Sequence, residues 1–177
     1  MIIKNTKFRG LLVIKQKNYI DKRGDLRTIF NKKILRKNFV YEYSSTSKKN
    51  VLRGFHLQTR FKQTKLISVL KGKILDVVID LRKNSKTFGK TFKIILSKQN
   101  ATSLLIPAGF AHAYYSYAKE SILYYKLDNY YTPKYENGIK YNDPTINVKW
   151  PLGKKIISNK DRKLKSFKIF LKKIGGQ

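Results

Sequence analysis

An antiparallel all-β sandwich or barrel is the fold this sequence predicts, on three observations. Short segments rich in Val, Ile, Leu, Phe and Tyr recur along the chain with turn residues between them. Hydrophobic residues make up 41% and aromatic residues 13% of 177 positions, enough to fill a real core and to exclude disorder as the main state. Nothing between Met1 and Pro151 resembles a linker or an internal repeat, so one domain over residues 1–177 is expected.

Taken in order, strands are expected at Leu11–Lys15, Leu26–Phe30, Phe39–Ser44, Lys65–Leu70, Lys73–Leu81, Thr91–Leu96, Ser103–Ile106, Ala111–Tyr117 and Ser121–Leu127. Lys71-Gly72 reads as a tight hairpin in which glycine takes the positive φ. Ile106-Pro107-Ala108-Gly109 ends a strand in a turn. The tail, residues 153–177, is basic and partly helical. Leu164, Phe167, Phe170, Leu171 and Ile174 fall at helical spacing, with Gly175 as a stop. Its apolar stripe suits docking on the barrel, and a basic amphipathic helix at a membrane surface is the competing reading.

Forty Lys+Arg against ten Asp+Glu give a net charge of +30, which raises a polyanion partner such as nucleic acid. The lysines, however, run along the whole chain beside many Asn, Ile and Tyr, as compositional drift would leave them, whereas a binding stripe would be concentrated. No nucleic-acid or membrane partner is therefore expected. Cysteine is absent, which excludes disulfides and thiolate metal sites. Met1 to Arg9 is polar and basic with no apolar stretch of signal-peptide length behind it, and no apolar run approaches the roughly 20 residues that span a bilayer. A cytoplasmic protein is expected.

Only two histidines, His56 and His112, are available as general bases. Histidines on a β-barrel invite a metal reading, but His56-Leu57-Gln58 offers no second histidine two positions on, and no histidine-rich loop exists. A lone histidine is more often structural than catalytic. The surroundings change that. His56 stands in Val51-Leu52-Arg53-Gly54-Phe55-His56-Leu57-Gln58, with Lys65 nine residues on. His112 closes Ile106-Pro107-Ala108-Gly109-Phe110-Ala111-His112, with Tyr125-Lys126 thirteen residues on. Together with Asp21-Lys22-Arg23-Gly24, the stretch Asp80 to Gly89, Asn129-Tyr130-Tyr131-Thr132-Pro133, Asn142-Asp143-Pro144, Trp150-Pro151 and Ser158-Asn159-Lys160-Asp161, these segments resemble the dTDP-4-dehydrorhamnose 3,5-epimerase family. The resemblance runs in order over nearly the whole chain.

That resemblance implies a cupin-like jelly-roll β-barrel, a homodimer, no metal and no cofactor. It implies epimerisation at C3 and/or C5 of a nucleotide-diphosphate 4-keto-6-deoxyhexose, on a route to dTDP-L-rhamnose or a related surface sugar. A C–H beside a ketone can lose its proton because the carbanion is an enolate, so a base on one face and an acid on the other suffice. By family role His56 is the base, Tyr125 the acid, Asp161 the group that orients His56, and Lys65 the cation beside the C4 oxygen. Substrate-binding positions would be Arg23, Ser45, Arg53, Gln58, His112, Tyr131, Glu136 and Lys160, with Tyr131 stacking on the nucleobase. Asp76 alternates with Ile74, Val78 and Asp80 on the expected pocket side and is read as structural support.

The chain departs from the family pattern at several places. Thr28 replaces a glutamate, Leu26 an aromatic, Tyr41 and Tyr43 a glutamine and an asparagine, and Ala113 a glycine. The chemical centre is kept while part of the recognition shell differs. A mono-epimerase, or one acting on another nucleotide's sugar, is the near alternative. A non-catalytic basic module that binds polyanions is the alternative from another class, against which an acid–base pair argues.

Overall fold

The computed structural model describes residues 1–175, with side chains as far as residue 172. Thirteen strands occur among them: β1 (Ile2–Asn5), β2 (Leu12–Lys15), β3 (Tyr19–Asp21), β4 (Gly24–Leu26), β5 (Tyr41–Lys48), β6 (Leu52–Gln58), β7 (Lys65–Lys71), β8 (Lys73–Asp80), β9 (Thr91–Ser97), β10 (Thr102–Ile106), β11 (Phe110–Ser116), β12 (Glu120–Leu127) and β13 (Glu136–Gly138). Three short α-helices accompany them, α1 (Lys32–Leu35), α2 (Asn159–Arg162) and α3 (Phe167–Gly175), with one 3-10 turn at Pro133–Tyr135. The strands form a six-stranded sheet in the order β1-β2-β10-β7-β12-β5 and a five-stranded sheet in the order β13-β6-β11-β8-β9, with β3 and β4 as a separate hairpin. Every pairing between these strands is antiparallel. The all-β jelly-roll expectation holds.

Alternation decides which face of each strand goes inside. In β12, Ser121, Leu123, Tyr125 and Leu127 are buried while the residues between them are more open. The core between the sheets takes Ile67, Val69, Leu104, Leu123, Tyr125 and Leu127 from the first sheet and Ile74, Val78, Leu96, Phe110 and Tyr114 from the second. The outer face of the second sheet is not left to solvent. Phe55, Leu57, Val77, Ile79, Ala111 and Ala113 pack there under Ile139, Trp150, Phe167 and Phe170. Strand β8 is thus covered on both faces, which explains why its sequence reads as an almost unbroken apolar run. A third cluster, with Ile14, Leu66 and Leu105 under Leu35, Phe30 and Phe39, covers the first sheet.

The Lys71-Gly72 hairpin forms as expected. Gly72 has φ of +80°, and a Cβ there would lie 2.3 Å from the Glu120 carbonyl oxygen. The tail docks, as its stripe predicts: Phe167 and Phe170 are buried, and the Phe167 amide donates to Asp143 Oδ2 at 2.9 Å. The side chain of Ile174, and Gly176 and Gln177, lie outside the described residues. No helix among the described residues is long and apolar enough to cross a membrane.

Two expectations need correction. The segment Leu26–Phe30 is not a strand beyond Leu26. Arg27 instead donates to the Val69 and Lys98 carbonyls, and Phe30 meets Phe39 edge-on at 5.2 Å, so these residues cover a sheet rather than extend one. Strand β6, which the sequence reading did not assign, carries His56.

Asp80 anchors the loop after β8. Fully buried, it accepts from Arg82 Nε and Nη2 at 2.8 Å each, and from the hydroxyls of Ser85 and Thr87 at 2.5 and 2.6 Å. Burial works to raise its pKa, but these donors overcome it and bring the carboxyl from 3.8 to about 2. A depressed carboxyl stabilises the fold above its unfolded pKa and stops doing so as pH falls through the folded one. Asp80→Asn should therefore cost about 2–4 kcal/mol in urea unfolding at pH 7. The gap to wild type should close as pH falls from 4 towards 2. A pH-independent gap would mean that the carboxylate charge is not what holds the loop.

Candidate active site

The site lies between the sheets, where inward-facing side chains of both meet. His56 of β6 and His112 of β11 are direct cross-strand partners in the second sheet, and Asp76 of β8 follows beside them. From the first sheet come Lys65 of β7, Tyr125 of β12, and Tyr43 and Ser45 of β5. One chamber is lined by Tyr43, Ser45, Arg53, His56, Lys65, His112, Tyr114 and Tyr125. An adjoining groove shares Tyr43, His56 and Lys65 and adds Gln58, Gln63, Tyr131 and Glu136. The proposed base and acid therefore come from opposite sheets and face one space.

Each histidine is held by an aspartate. His56 Nε2 lies 2.8 Å from Asp161 Oδ1, and His112 Nε2 lies 2.8 Å from Asp76 Oδ2. With Nε2–H donated to Asp161, the neutral His56 ring keeps its lone pair on Nδ1, 4.0 Å from Glu136 Oε1. Asp161 is positioned by α2: Ser158 caps that helix by accepting from the Asp161 amide at 3.1 Å. Its second oxygen accepts from the Gly54 amide at 3.0 Å. Burial works to raise the Asp161 carboxyl, yet the bonds from His56, Gly54 and Ser158 outweigh it and hold the group below its ordinary value. Glycine at 54 is a steric requirement. Its φ is +109°, and a Cβ would stand 2.5 Å from the His112 carbonyl oxygen and 2.7 Å from Ala113 Cα.

The other charges complete the electrostatics. Burial lowers the Lys65 ammonium to about 8, and the negative charges of Glu136 and Asp76 act against that fall. Burial likewise pushes the Tyr125 phenol well above its usual range, with Tyr114, Tyr43 and Asp76 adding to the rise and the Ser45 hydroxyl opposing it. Tyr125 thus stays protonated throughout the working range of pH. Glu136 is gripped by the Tyr131 hydroxyl and the Lys160 ammonium. These bonds overcome the effect of burial and keep it ionised.

Of the residues singled out from sequence, His56, Tyr125, Lys65, Asp161, Ser45, Arg53, Gln58, His112, Tyr131, Glu136 and Lys160 all line the space or bond to a residue that does. Arg53 is directed by Ser47 Oγ at 3.2 Å and the Thr46 carbonyl at 3.1 Å. Gln58 both lines the groove and holds its far wall, donating to the Phe61 and Tyr130 carbonyls and accepting from the Thr132 amide. Asp76 does the supporting work expected of it, on His112. Arg23 stands apart: at the turn of the β3–β4 hairpin it pairs with Asp21 at 2.6 Å and is not among the lining residues of this chain. The sequence reading named neither Tyr114, whose hydroxyl meets Ser47 Oγ at 2.8 Å, nor Gln63. Tyr114 could have been found, since it alternates with His112 on β11. Among the described residues no three His, Cys, Asp or Glu side chains are grouped to hold a metal ion.

Comparison with known proteins identifies the family. The family model for dTDP-4-dehydrorhamnose 3,5-epimerase matches residues 5–168. The dTDP-4-dehydrorhamnose 3,5-epimerase of Methanothermobacter thermautotrophicus is 40% identical over 168 residues, covering 90% of this chain and 91% of that one. Among solved structures, a dTDP-6-deoxy-D-glucose-3,5-epimerase of Legionella pneumophila in complex with dTDP-4-keto-L-rhamnose is 37% identical at a TM-score of 0.92, covering 98% and 96% of the two chains. The dTDP-4-dehydrorhamnose 3,5-epimerase of Bacillus anthracis, with TDP and pyrophosphate bound, is 36% identical at a TM-score of 0.90 over 94% and 99%. With one fold, near-complete coverage in both directions and a histidine, a tyrosine and a lysine facing one chamber, this chain belongs to the dTDP-4-dehydrorhamnose 3,5-epimerase family.

Proposed function

We propose that the protein inverts C3 and C5 of a dTDP-linked 4-keto-6-deoxyhexose through enolate intermediates. The observation that carries this reading is the placement of His56 and Tyr125 on opposite sheets around one chamber, with Lys65 among its lining residues. His56 Nδ1 removes the proton beside the ketone, and Asp161 supports the imidazolium that forms. Negative charge gathers on the C4 oxygen, where the Lys65 ammonium stabilises it. Tyr125 then delivers its phenolic proton to the opposite face of the same carbon, and the configuration inverts. The ketone makes both neighbouring carbons acidic, and once solvent has taken the proton from His56 and returned one to Tyr125, the same pair serves the second carbon.

In the groove, Tyr131 offers a ring to the nucleobase and the neighbouring Lys160 a cation suited to the diphosphate, while Arg53 lines the chamber, where with His112 it holds the substrate near the reacting sugar. The full 3,5-reaction is favoured over a single inversion by the relatives at 36–40% identity, each named as a 3,5-epimerase. The protein acts as a homodimer in this reading. Tyr19, Ile20 and Leu26 of the β3–β4 hairpin expose apolar surface that a second copy would cover, and Arg23 at its tip would then serve that copy's site. Equilibrium sedimentation should find twice the chain mass.

The direct test is mass spectrometry of candidate 4-keto nucleotide sugars incubated with the protein in heavy water. Two deuteriums gained is the expected result, one would mean a mono-epimerase, and none across a broad panel would sink the proposal. His56→Ala should lower exchange at both carbons by about 10²–10⁴-fold with the fold intact. Exchange close to wild type in that variant would remove His56 as the base.

Tyr125→Phe should separate the two half-reactions. Proton abstraction should stay within about tenfold of wild type, and inversion should fall about 100-fold or more, because His56 can only return its proton to the same face. Equal losses of exchange and inversion would assign the acid elsewhere.

Lys65 sets an alkaline limit. Its ammonium is present below about 8 and is lost as pH rises through that value, so kcat/KM should fall on that side with unit slope. A bound dianionic substrate favours the charged form, so the same limb in kcat should lie higher. Lys65→Arg should remove the limb below pH 10 whatever it does to the rate. A limb that persists near pH 8 in the arginine variant would belong to another group.

A further inference from the structure

Tyr43 occupies a place that the reaction as described does not use. It is the direct cross-strand partner of Tyr125 between β5 and β12. The two rings stack with centroids 4.6 Å apart and planes 15° from parallel, tighter and flatter than any other ring contact of Tyr125. His112 also meets the Tyr125 ring, edge-on at 6.2 Å and 68°. The ring of Tyr125 therefore has one face contact and one edge contact. Tyr43 is itself braced, since Tyr41 leans on it at 5.9 Å and Tyr130 leans on Tyr41 at 6.1 Å. This row of tyrosines runs from the loop that Gln58 pins to the chamber wall. Tyr43 also lines both the reaction chamber and the adjoining groove, so its ring forms part of the partition between them.

Stacked aromatic pairs gain about 0.5–1.5 kcal/mol beyond the area they bury. That is enough to change the population of a side-chain rotamer about two- to tenfold. For a proton donor the consequence is specific. An enolate held against His56 is reprotonated either by the imidazolium, which restores the starting sugar, or by Tyr125, which inverts it. The outcome depends on how often the phenol points at the carbon. The usual asparagine of the family could not supply such a face.

We infer that Tyr43 is a positioning residue for the acid: by stacking on Tyr125 it fixes the direction of the phenol and so biases the enolate towards inversion. This rests on the reading of Tyr125 as the acid. The test uses Tyr43→Leu, which keeps apolar bulk but loses the ring face, and Tyr43→Phe, which keeps the face but loses the hydroxyl. For each, deuterium exchange and inversion are measured on the same 4-keto sugar, and the χ1 of Tyr125 is read from its Hα–Hβ couplings in substrate-free protein. Tyr43→Leu should lower the ratio of inversion to exchange about two- to tenfold and average χ1 of Tyr125, and Tyr43→Phe should restore both. An unchanged ratio in Tyr43→Leu overturns the proposal, as does a Phe variant as poor as Leu, which would make the hydroxyl rather than the stack important. A wild-type protein that exchanges no candidate sugar would defeat the epimerase reading instead. The couplings would then still decide whether Tyr43 orders Tyr125.

Discussion

One buried carboxylate holds the centre of this molecule together. Asp161 accepts from His56 Nε2 and from the Gly54 amide, and it is supplied from α2, more than a hundred residues along the chain from the strand it braces. A charged group this deep is tolerable only if its oxygens are matched, and hydrogen bonds to charged groups contribute about 1.5–3 kcal/mol each. Its position obliges the segment after β13 to return across the outer face of the second sheet. That return is what buries Trp150, Phe167 and Phe170 on Phe55, Val77 and Ile79. Orientation of His56, the proposed base, and closure of the outer core layer are thus one structural event. Glycine at 54 follows from the same constraint, because the backbone that donates to Asp161 also passes against His112 and Ala113.

The charge balance reads differently once the acids are located. All ten carboxylates have partners: Asp21, Asp25, Glu42, Asp80, Glu120 and Glu136 pair with lysine or arginine, Asp76 and Asp161 with the histidines, and Asp128 and Asp143 with backbone amides. A chain with so few acids commits each to a structural or site position, and three of them, Asp76, Glu136 and Asp161, serve the chamber and groove. The surplus cations are left to solvent, where salt screens them within about 8 Å at physiological ionic strength. The net +30 describes the surface, and the site is governed by a handful of local pairs.

How far the sequence could be read depended on whether a residue's local pattern or a distant contact fixed its conformation. β7 to β12 were legible because alternation and turn residues are local. β6 was not, since Leu52-Arg53-Gly54-Phe55-His56 mixes a charge and a glycine into a strand, and that glycine is demanded by a neighbour sixty residues away. The Leu26–Phe30 segment read as a strand for the opposite reason: its Phe30 covers a sheet, and in sequence a residue packed over a sheet looks like one paired within it. In the site, the chemical residues were visible through their motif surroundings. Tyr43 appeared only as a departure from pattern, because a stack across two strands leaves no trace in local spacing.

The sheet order places the departures at Tyr41 and Tyr43 at an edge, whereas Ala113, buried on central β11, changes only by one methyl group. Lys65, Tyr125 and His112 sit on β7, β12 and β11, each with a neighbour on both sides, and His56 sits on β6 between β13 and β11. A change of backbone or bulk on these strands would be felt by two partners and by the packed core. Tyr41 and Tyr43 sit on β5, at the end of the six-stranded sheet, and Glu136 sits on β13, at the end of the other. An edge strand has one ladder partner, so a new side chain there is accommodated by moving into the chamber mouth rather than by repacking the interior. In the proposed mechanism enolisation is thereby tied to the most constrained part of the fold, while part of the recognition shell, Tyr43 and Glu136, stands on edge strands. Substitution at β5 can then alter what enters the chamber or, as proposed for Tyr43, how firmly Tyr125 is held, without disturbing His56.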